Sequence, residues 1–455
     1  TAEAVDVQRT AVREAARALD DTTTLRVTQK LAELALSLSQ PEVAAAWVDT
    51  ARMLSIRLGV DDELEGAHVD YLEGKTLLDR GEGERALEKF DRALRLRTAA
   101  LGPAHPAVAR VLNGQGRGHG MLGDLDTAAA KFQSALDTSE RALGGRHPEV
   151  AIALTNMAAL HRRGGHWARA LALSERVMAI KRDAFGENHV SFARALSNLG
   201  TDHGNTGDMD LAVELGRQAL AIQERARGPD HPETASFAAN LARDLMYRGD
   251  LDDALTLGRR AWQVMKATRG ASDVRTGRSA LQLATILVER EDNAGALPLL
   301  REAASTFGHN RGTELELAAT ELAMGHALRN LHQAGAGEAY DRSAAALRVG
   351  FGPDTPRLWL VWAGRSLLAI DEERYDDAVE AAERAIALQR ELAVPDTGTA
   401  DTWLTLATAL AERGLPEDQD RAKALATRAR EALLAASHDR RARYAAGLIE
   451  KHWGP

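Results

Sequence analysis

The chain has 455 residues, 45% of them hydrophobic but only 4% aromatic, and a formal net charge of −9. That charge argues against nucleic-acid binding by the surface as a whole, and the absence of cysteine removes disulfides, thiol nucleophiles and thiolate metal sites. No apolar run approaches the roughly 20 residues that span a bilayer, and the start, Thr1-Ala-Glu-Ala-Val, holds neither the basic region nor the apolar core of a signal peptide, so a cytoplasmic protein is expected.

The same start lacks an initiating Met, as expected of a fragment or a processed form. Apolar spacing through Val5, Val12, Ala16 and Leu19 predicts a helix over residues 1–20. A first helical hairpin is predicted over 25–58, turning near Gln40-Pro41, where Pro suits the first turn of a helix.

A fixed period then takes over. Gly102, Gly144, Gly186, Gly228 and Gly270 fall 42 positions apart, with His105, His147, His189 and His231 three positions later. A period of this size is the signature of stacked supersecondary units. Ala44, Ala86, Ala128, Ala170, Ala212, Ala254 and Ala296 keep the same time. So do Ala51, Ala93, Ala135, Ala219, Ala261 and Ala303, with Val177 filling one gap. Seven residues separate the two series, which is two helical turns, so both lie on one face of the second helix of each unit. Gly81, Gly123, Gly165, Gly207 and Gly249 precede those helices, and Asp124, Asp208 and Asp250 follow three of them, the order of a helix end and the next helix start.

Hairpins are thus predicted at about 62–101, 104–143, 146–185, 188–228, 230–269 and 272–307. After a loop at Gly308 to Gly312 come three pairs of altered length, about 313–351, 354–393 and 397–436. A last helix from 438 carries Tyr444, Leu448 and Trp453. The expected organisation is an irregular N-terminal stretch or cap (1–61), a regular array (62–307), divergent repeats (308–437) and a C-terminal capping helix (438–455), with no cut into independent domains.

The joint L-G-x-x-H-P occurs as Leu101-Gly102-Pro103-Ala104-His105-Pro106 and as Leu143-Gly144-Gly145-Arg146-His147-Pro148. The helix after it carries L-x-N-L/M-A/G as Leu154-Thr155-Asn156-Met157-Ala158 and Leu196-Ser197-Asn198-Leu199-Gly200, and less faithfully as Ala238-Ala239-Asn240-Leu241-Ala242. These residues resemble tetratricopeptide repeats, and more closely the long-period variety of kinesin light chains. The resemblance implies an all-α fold, a right-handed α-α superhelix of about ten helical hairpins. The layout also resembles the repeat regions that follow the kinase domain in large bacterial serine/threonine protein kinases, which end in a shorter hairpin like Arg421-Ala-Lys-Ala-Leu-Ala-Thr-Arg-Ala-Arg430. No Gly-rich loop, V-A-I-K, H-R-D or D-F-G sequence occurs, so any kinase domain lies outside this chain.

The resemblance implies a concave face formed by the first helices, on which Asn156, Asn198 and Asn240 hydrogen-bond the backbone of an extended peptide. Gln282 and Gly114 stand at the same position in adjoining repeats. An amide both donates and accepts, which suits a peptide group in either direction; the alternative is that Asn bonds the neighbouring helix. Arg110, Arg194 and Arg278 lie one turn before that position, and Lys75, Arg117 and Arg243 three residues after it. Cations gathered there in an acidic protein point to a ligand bearing carboxylates or phosphates, unless they pair with the protein's own acids. Tyr247 shares the phase and could stack on a ligand or fill the core.

The four period histidines are read as joint residues, since equivalent helices lie at least roughly 8–10 Å apart and cannot share one metal ion. Gly114-Gln-Gly-Arg-Gly-His-Gly120 follows no strand, so it is read as a small-residue seam and a candidate hinge, and as no phosphate loop. Trp359, Trp362 and Trp403 are expected to fill core in the irregular half. No catalytic, cofactor or metal constellation stands out. The function expected is a non-catalytic scaffold binding a protein or peptide, acidic or with a free carboxylate, and neither nucleic acid nor membrane. Two rivals remain open: an assembly or autoinhibitory solenoid whose groove is filled by its own chain, for instance residues 1–20, and an accessory domain of a protease or transcription regulator.

Overall fold

The computed structural model describes residues 21–38, 40–310, 312–392, 394, 396–435 and 439–454; the helix expected over 1–20 lies outside them. The chain forms two compact units, one ending at Pro229 and the other beginning at Asp230. In the first unit the helices are α1 Asp21–Ser37, α2 Pro41–Arg57, α3 Leu64–Asp79, α4 Gly83–Leu101, α5 Pro106–Met121, α6 Leu125–Leu143, α7 Val150–Arg163, α8 Trp167–Phe185, α9 Val190–Thr206 and α10 Met209–Arg227. In the second they are α11 Pro232–Arg248, α12 Leu251–Arg269, α13 Val274–Glu289, α14 Asn293–Gly308, α15 Glu314–Asn330, α16 Ala336–Phe351, α17 Trp359–Asp371, α18 Tyr375–Glu391, α19 Asp396–Arg413, α20 Gln419–Ala435 and α21 Asp439–Trp453. Among the described residues there is no strand, and the fold is all-α.

Each odd-numbered helix from α1 to α19 packs against the next to make a hairpin, and α21 closes the last one by packing on α20 and α19. The first helices also touch their own equivalents: α1 touches α3, α3 touches α5 and α5 touches α7, and in the second unit the same holds from α11 through α19. The hairpins fall where the 42-residue period puts them, and the three altered pairs and the final helix are present as well.

The period is visible in the packing. Ala44, Ala86, Ala128, Ala170, Ala212, Ala254 and Ala296 are all completely buried, as are most of the second series, with Val177 in its gap also buried. A methyl at each of these positions is what allows the next helix to come close. The period glycines end the second helices at positive φ, Gly144 at 82° and Gly228 at 85°, a region costly for any residue with a Cβ.

The period histidines have a local task. His105, His147, His189 and His231 each accept, through Nδ1, the backbone N–H two residues on, at 3.1–3.2 Å. Each caps an orphan donor at a helix start. At the next joint, Asp273 accepts from the Arg275 N–H at 2.8 Å in the same way. Asp124 and Asp208 cap second helices by accepting from Thr127 and Leu211, while Asp250 pairs with Arg248 instead.

The glycine run in α5 is a packing device. A Cβ at Gly116 would lie 2.5 Å from the Phe132 ring, and one at Gly118 2.8 Å from Leu87. Large side chains of α4 and α6 fill the room that the glycines leave. Of the three tryptophans expected in core, Trp403 is buried among the last hairpins, Trp359 is half-buried, and Trp362 packs at the edge of a core cluster with the guanidinium groups of Arg365 and Arg384 5.4 and 4.4 Å from its ring centre.

Candidate functional site

The contacts between successive first helices decide where a ligand face can be. Within each unit they bring polar side chains of neighbouring first helices side by side. On α7, Asn156 is half-buried and donates from Nδ2 to Asn113 Oδ1 on α5 at 3.2 Å. Gln282 on α13 donates to the main-chain carbonyl of Ala239 on α11. In both, the amide reaches the residue 43 positions earlier, across to the neighbouring first helix, which is the alternative weighed for these amides. Asn198 on α9 and Asn240 on α11 are half-buried at the same register.

The arginines on either side of that register are partly spoken for. Arg110 makes two parallel bonds to Glu149, Nε to Oε2 at 2.9 Å and Nη2 to Oε1 at 2.8 Å, a fork geometry that fixes both partners. Arg278 meets Glu316 at 2.6 Å, Arg117 reaches Asp79 at 3.4 Å, and Arg243 turns onto its neighbour Asp244 at 2.8 Å. The self-paired alternative therefore describes these four. Arg194 lies exposed on α9, and Tyr247 is 64% exposed, so it fills no core.

The arrangement around Lys75 is different. A cleft of about 470 Å³ in the first unit is enclosed by α1, α3, α4, α5 and α7. Lys75 and Arg97 both stand over the ring of Tyr71, at 5.7 and 4.7 Å from its centre. Among the described residues no carboxylate comes within ion-pair distance of either cation. Arg97 is only 5% exposed and spends its guanidinium on neutral acceptors, the Ala107 carbonyl at 2.9 Å and His68 Nδ1 at 3.2 Å. With Nδ1 accepting, the imidazole proton sits on Nε2, facing Glu33 Oε1 at 3.3 Å.

Burial pushes the pKa of both cations down, Lys75 further under the like charges of Arg117 and Arg110. The hydrogen bond from His68 holds the Glu33 carboxyl below its ordinary range. Leu72, Leu101 and Ile152 supply apolar walls. Of these residues sequence reasoning found Lys75 and Arg110 and missed His68, Tyr71 and Arg97. A signal was present: Tyr71 stands where later repeats have Asn113, Thr155, Ser197 and Ala239, so a large ring at a small-residue register marks a departure from the period.

A smaller cleft of about 370 Å³ in the second unit lies beside Trp362. Its cations Arg365 and Arg374 are paired, with Asp341 and with Glu372 and Asp377. Among the described residues no group of three or more His, Asp or Glu is set to hold a metal ion, and no helix is long and apolar enough to cross a membrane.

A family model described as Tetratricopeptide repeat matches residues 67–141, 119–183 and 191–261. No curated protein matches the chain. Among solved structures, a Rap protein complexed with Competence and Sporulation Factor aligns over 81% of this chain and 98% of its own, at 11% identity and a TM-score of 0.57. The apo form of RapI aligns over the same shares at 11% identity and a TM-score of 0.54. A kinesin light chain-type protein with nearly identical TPR-like repeats from Podosopora anserina aligns over 44% of this chain and 95% of its own, at 20% identity and a TM-score of 0.38. At these identities the two Rap structures share the fold with this chain, and the likeness extends to nothing else.

Proposed function

We propose that the chain, which carries tetratricopeptide repeats over residues 67–183 and 191–261, is a non-catalytic interaction scaffold whose first-helix faces take an extended peptide or partner segment. One observation carries the reading: Asn156 and Asn198 in the first unit and Asn240 in the second are only half-buried at one register of the first helices, so a peptide backbone laid along that face comes within their reach. In the first unit Asn156 and Asn198 hold the peptide backbone in this reading and Arg194 selects acidic groups; in the second unit Asn240 has the same task. A protein of the same fold has been crystallised in complex with the Competence and Sporulation Factor, which is in keeping with such a role.

The layout resemblance supports a finer proposal, that the chain is the sensor or scaffold part of a cytoplasmic bacterial signalling protein such as a serine/threonine kinase. The coding sequence that adjoins it tests this directly, and a neighbour with no signalling domain overturns it. The binding proposal is tested on an array of synthetic peptides of varied sequence, with wild type set against a variant carrying Asn156→Ala, Arg194→Ala, Asn198→Ala and Asn240→Ala, its helicity verified. Peptides captured by wild type and lost from the variant are expected, with capture weakening as salt rises. Equal capture by both overturns the first-helix face as the site.

A further inference from the structure

Resting on the peptide-binding reading, we infer that the cleft beneath Lys75 is a carboxylate-recognition site, which takes one carboxylate of a peptide ligand against the Tyr71 ring and an adjoining apolar side chain against Leu72, Leu101 and Ile152. The argument begins with charge. Lys75, Arg97 and Arg110 line the cleft. Against them stand Glu33 on its wall and Glu149, which holds Arg110 through both guanidinium edges. One positive charge is left over, in a protein whose net charge is −9.

The surplus is localised. Arg110 is neutralised by its bidentate acid, so the one surplus charge rests on Lys75 and Arg97, which have only Glu33 on the cleft wall to share and stand over one aromatic ring. Arg97 is 95% shielded from solvent, and its carbonyl and imidazole partners carry no formal charge to answer its own. Holding a buried guanidinium without a counter-ion is costly, and the structure sustains that cost where the cleft opens. An incoming anion would recover it. Burial depresses the pKa of Lys75, and the like charge of Arg117 adds to it.

The size of the surplus selects the anion. A single carboxylate brings one charge and closes the balance, whereas a phosphate near neutral pH brings about two and leaves an excess beside Glu33. The lining selects what accompanies it: apolar walls around a charged floor suit a carboxylate set close to a hydrophobic side chain. A free C-terminus on an apolar residue and an internal Glu next to one both meet that description. The second-unit cleft does not, because its arginines already have their acids.

The test uses an array of ten-residue peptides of varied sequence with an apolar last residue. Each is made in three forms, free C-terminal acid, C-terminal amide, and amide with one internal Glu, and, as an anion control, as an amide with one internal phosphoserine. Wild type is expected to bind at least one acid-bearing form about tenfold or more above the plain amide, and which form wins identifies the source of the carboxylate. Lys75→Met should remove that preference while Lys75→Arg retains it, and a preference for a phosphoserine version over both acids would overturn the choice of anion. Capture of all three forms alike, or a preference untouched by Lys75→Met, overturns this inference and leaves the peptide-binding reading standing. Capture of none of the peptides overturns both.

Discussion

The ring of Phe90 on α4 is held between two glycines of neighbouring first helices: a Cβ at Gly74 on α3 or at Gly114 on α5 would each lie 2.7 Å from it. Phe90 is completely buried, and the backbone closes on it from both sides. Glycine in a helix interior costs about 1 kcal/mol against alanine, so Gly114→Ala would stabilise the helix were propensity the only effect. Overpacking of a trapped ring costs roughly 1–3 kcal/mol and should win, since the ring has nowhere to retreat. Gly120 on the same helix is the control, because its nearest neighbour, the Ala128 methyl, stands at 3.8 Å. Urea unfolding should show a lower midpoint for Gly114→Ala and an unchanged or higher one for Gly120→Ala. Equal shifts would mean that α5 is governed by propensity alone.

The histidine joints yield a prediction about chemistry at a helix start. His147 Nδ1 accepts the Glu149 N–H at 3.2 Å, and removing such a cap costs about 0.5–2 kcal/mol. His147→Ala should lower the unfolding midpoint accordingly. His147→Asp should not, because Asp273 performs the same task at its own joint. Equal loss in both variants would show that the imidazole matters for packing and that the cap is incidental.

The hairpins were legible because the period fixes them: the alanines at positions such as Ala128 and Ala212 and the glycines at positions such as Gly144 each answer one geometric demand, repeated. The glycine run in α5 was half legible. Its small-residue role could be read from register, but the partners Phe90 and Phe132 belong to other helices and no local pattern names them. The site was less legible for the same reason. Asn156 and Arg110 stand in register and were found, whereas what they bond, Asn113 and Glu149, is set by the approach of neighbouring hairpins. Tyr71 and Arg97 were missed because they depart from the repeat, and a search for periodicity passes over departures.

Glu149 tests the electrostatics of the Lys75 cleft from the opposite direction. It holds Arg110 through both guanidinium edges, and that hydrogen bonding raises the Arg110 pKa. Glu149→Gln removes the charge while keeping the shape, so Arg110 joins the surplus and the cleft gains attraction for an anion. Partly exposed pairs of this kind are worth up to about 1 kcal/mol. The acid-bearing peptides that wild type prefers should therefore bind roughly two- to fivefold tighter to the variant, measured by fluorescence anisotropy at low salt. Weaker binding would mean that Glu149 positions Arg110 for the ligand, and the neutralising role assigned to it would fall.

A titration is built into the second unit. His326 on α15 meets Tyr340 edge-on, with ring centres 5.5 Å apart, and its Nδ1 shares a hydrogen bond of 3.1 Å with the Tyr340 hydroxyl. Burial, with a smaller contribution from Arg329, lowers the His326 pKa from 6.5 to about 4. The folded state thus favours the neutral imidazole. Below pH 6.5 the unfolded chain binds a proton that the folded chain refuses, so stability is full above about pH 6.5 and falls as pH drops towards 4, by up to roughly 3 kcal/mol. Carboxylates contribute their own acid loss, so the measurement is a difference. His326→Asn keeps an acceptor for Tyr340 without a titrating ring, and the gap between its unfolding midpoint and that of wild type should be constant above pH 6.5 and narrow or invert between 6.5 and 4. Parallel curves through that window would show that the imidazole takes up its proton as readily in the folded protein as in the unfolded chain.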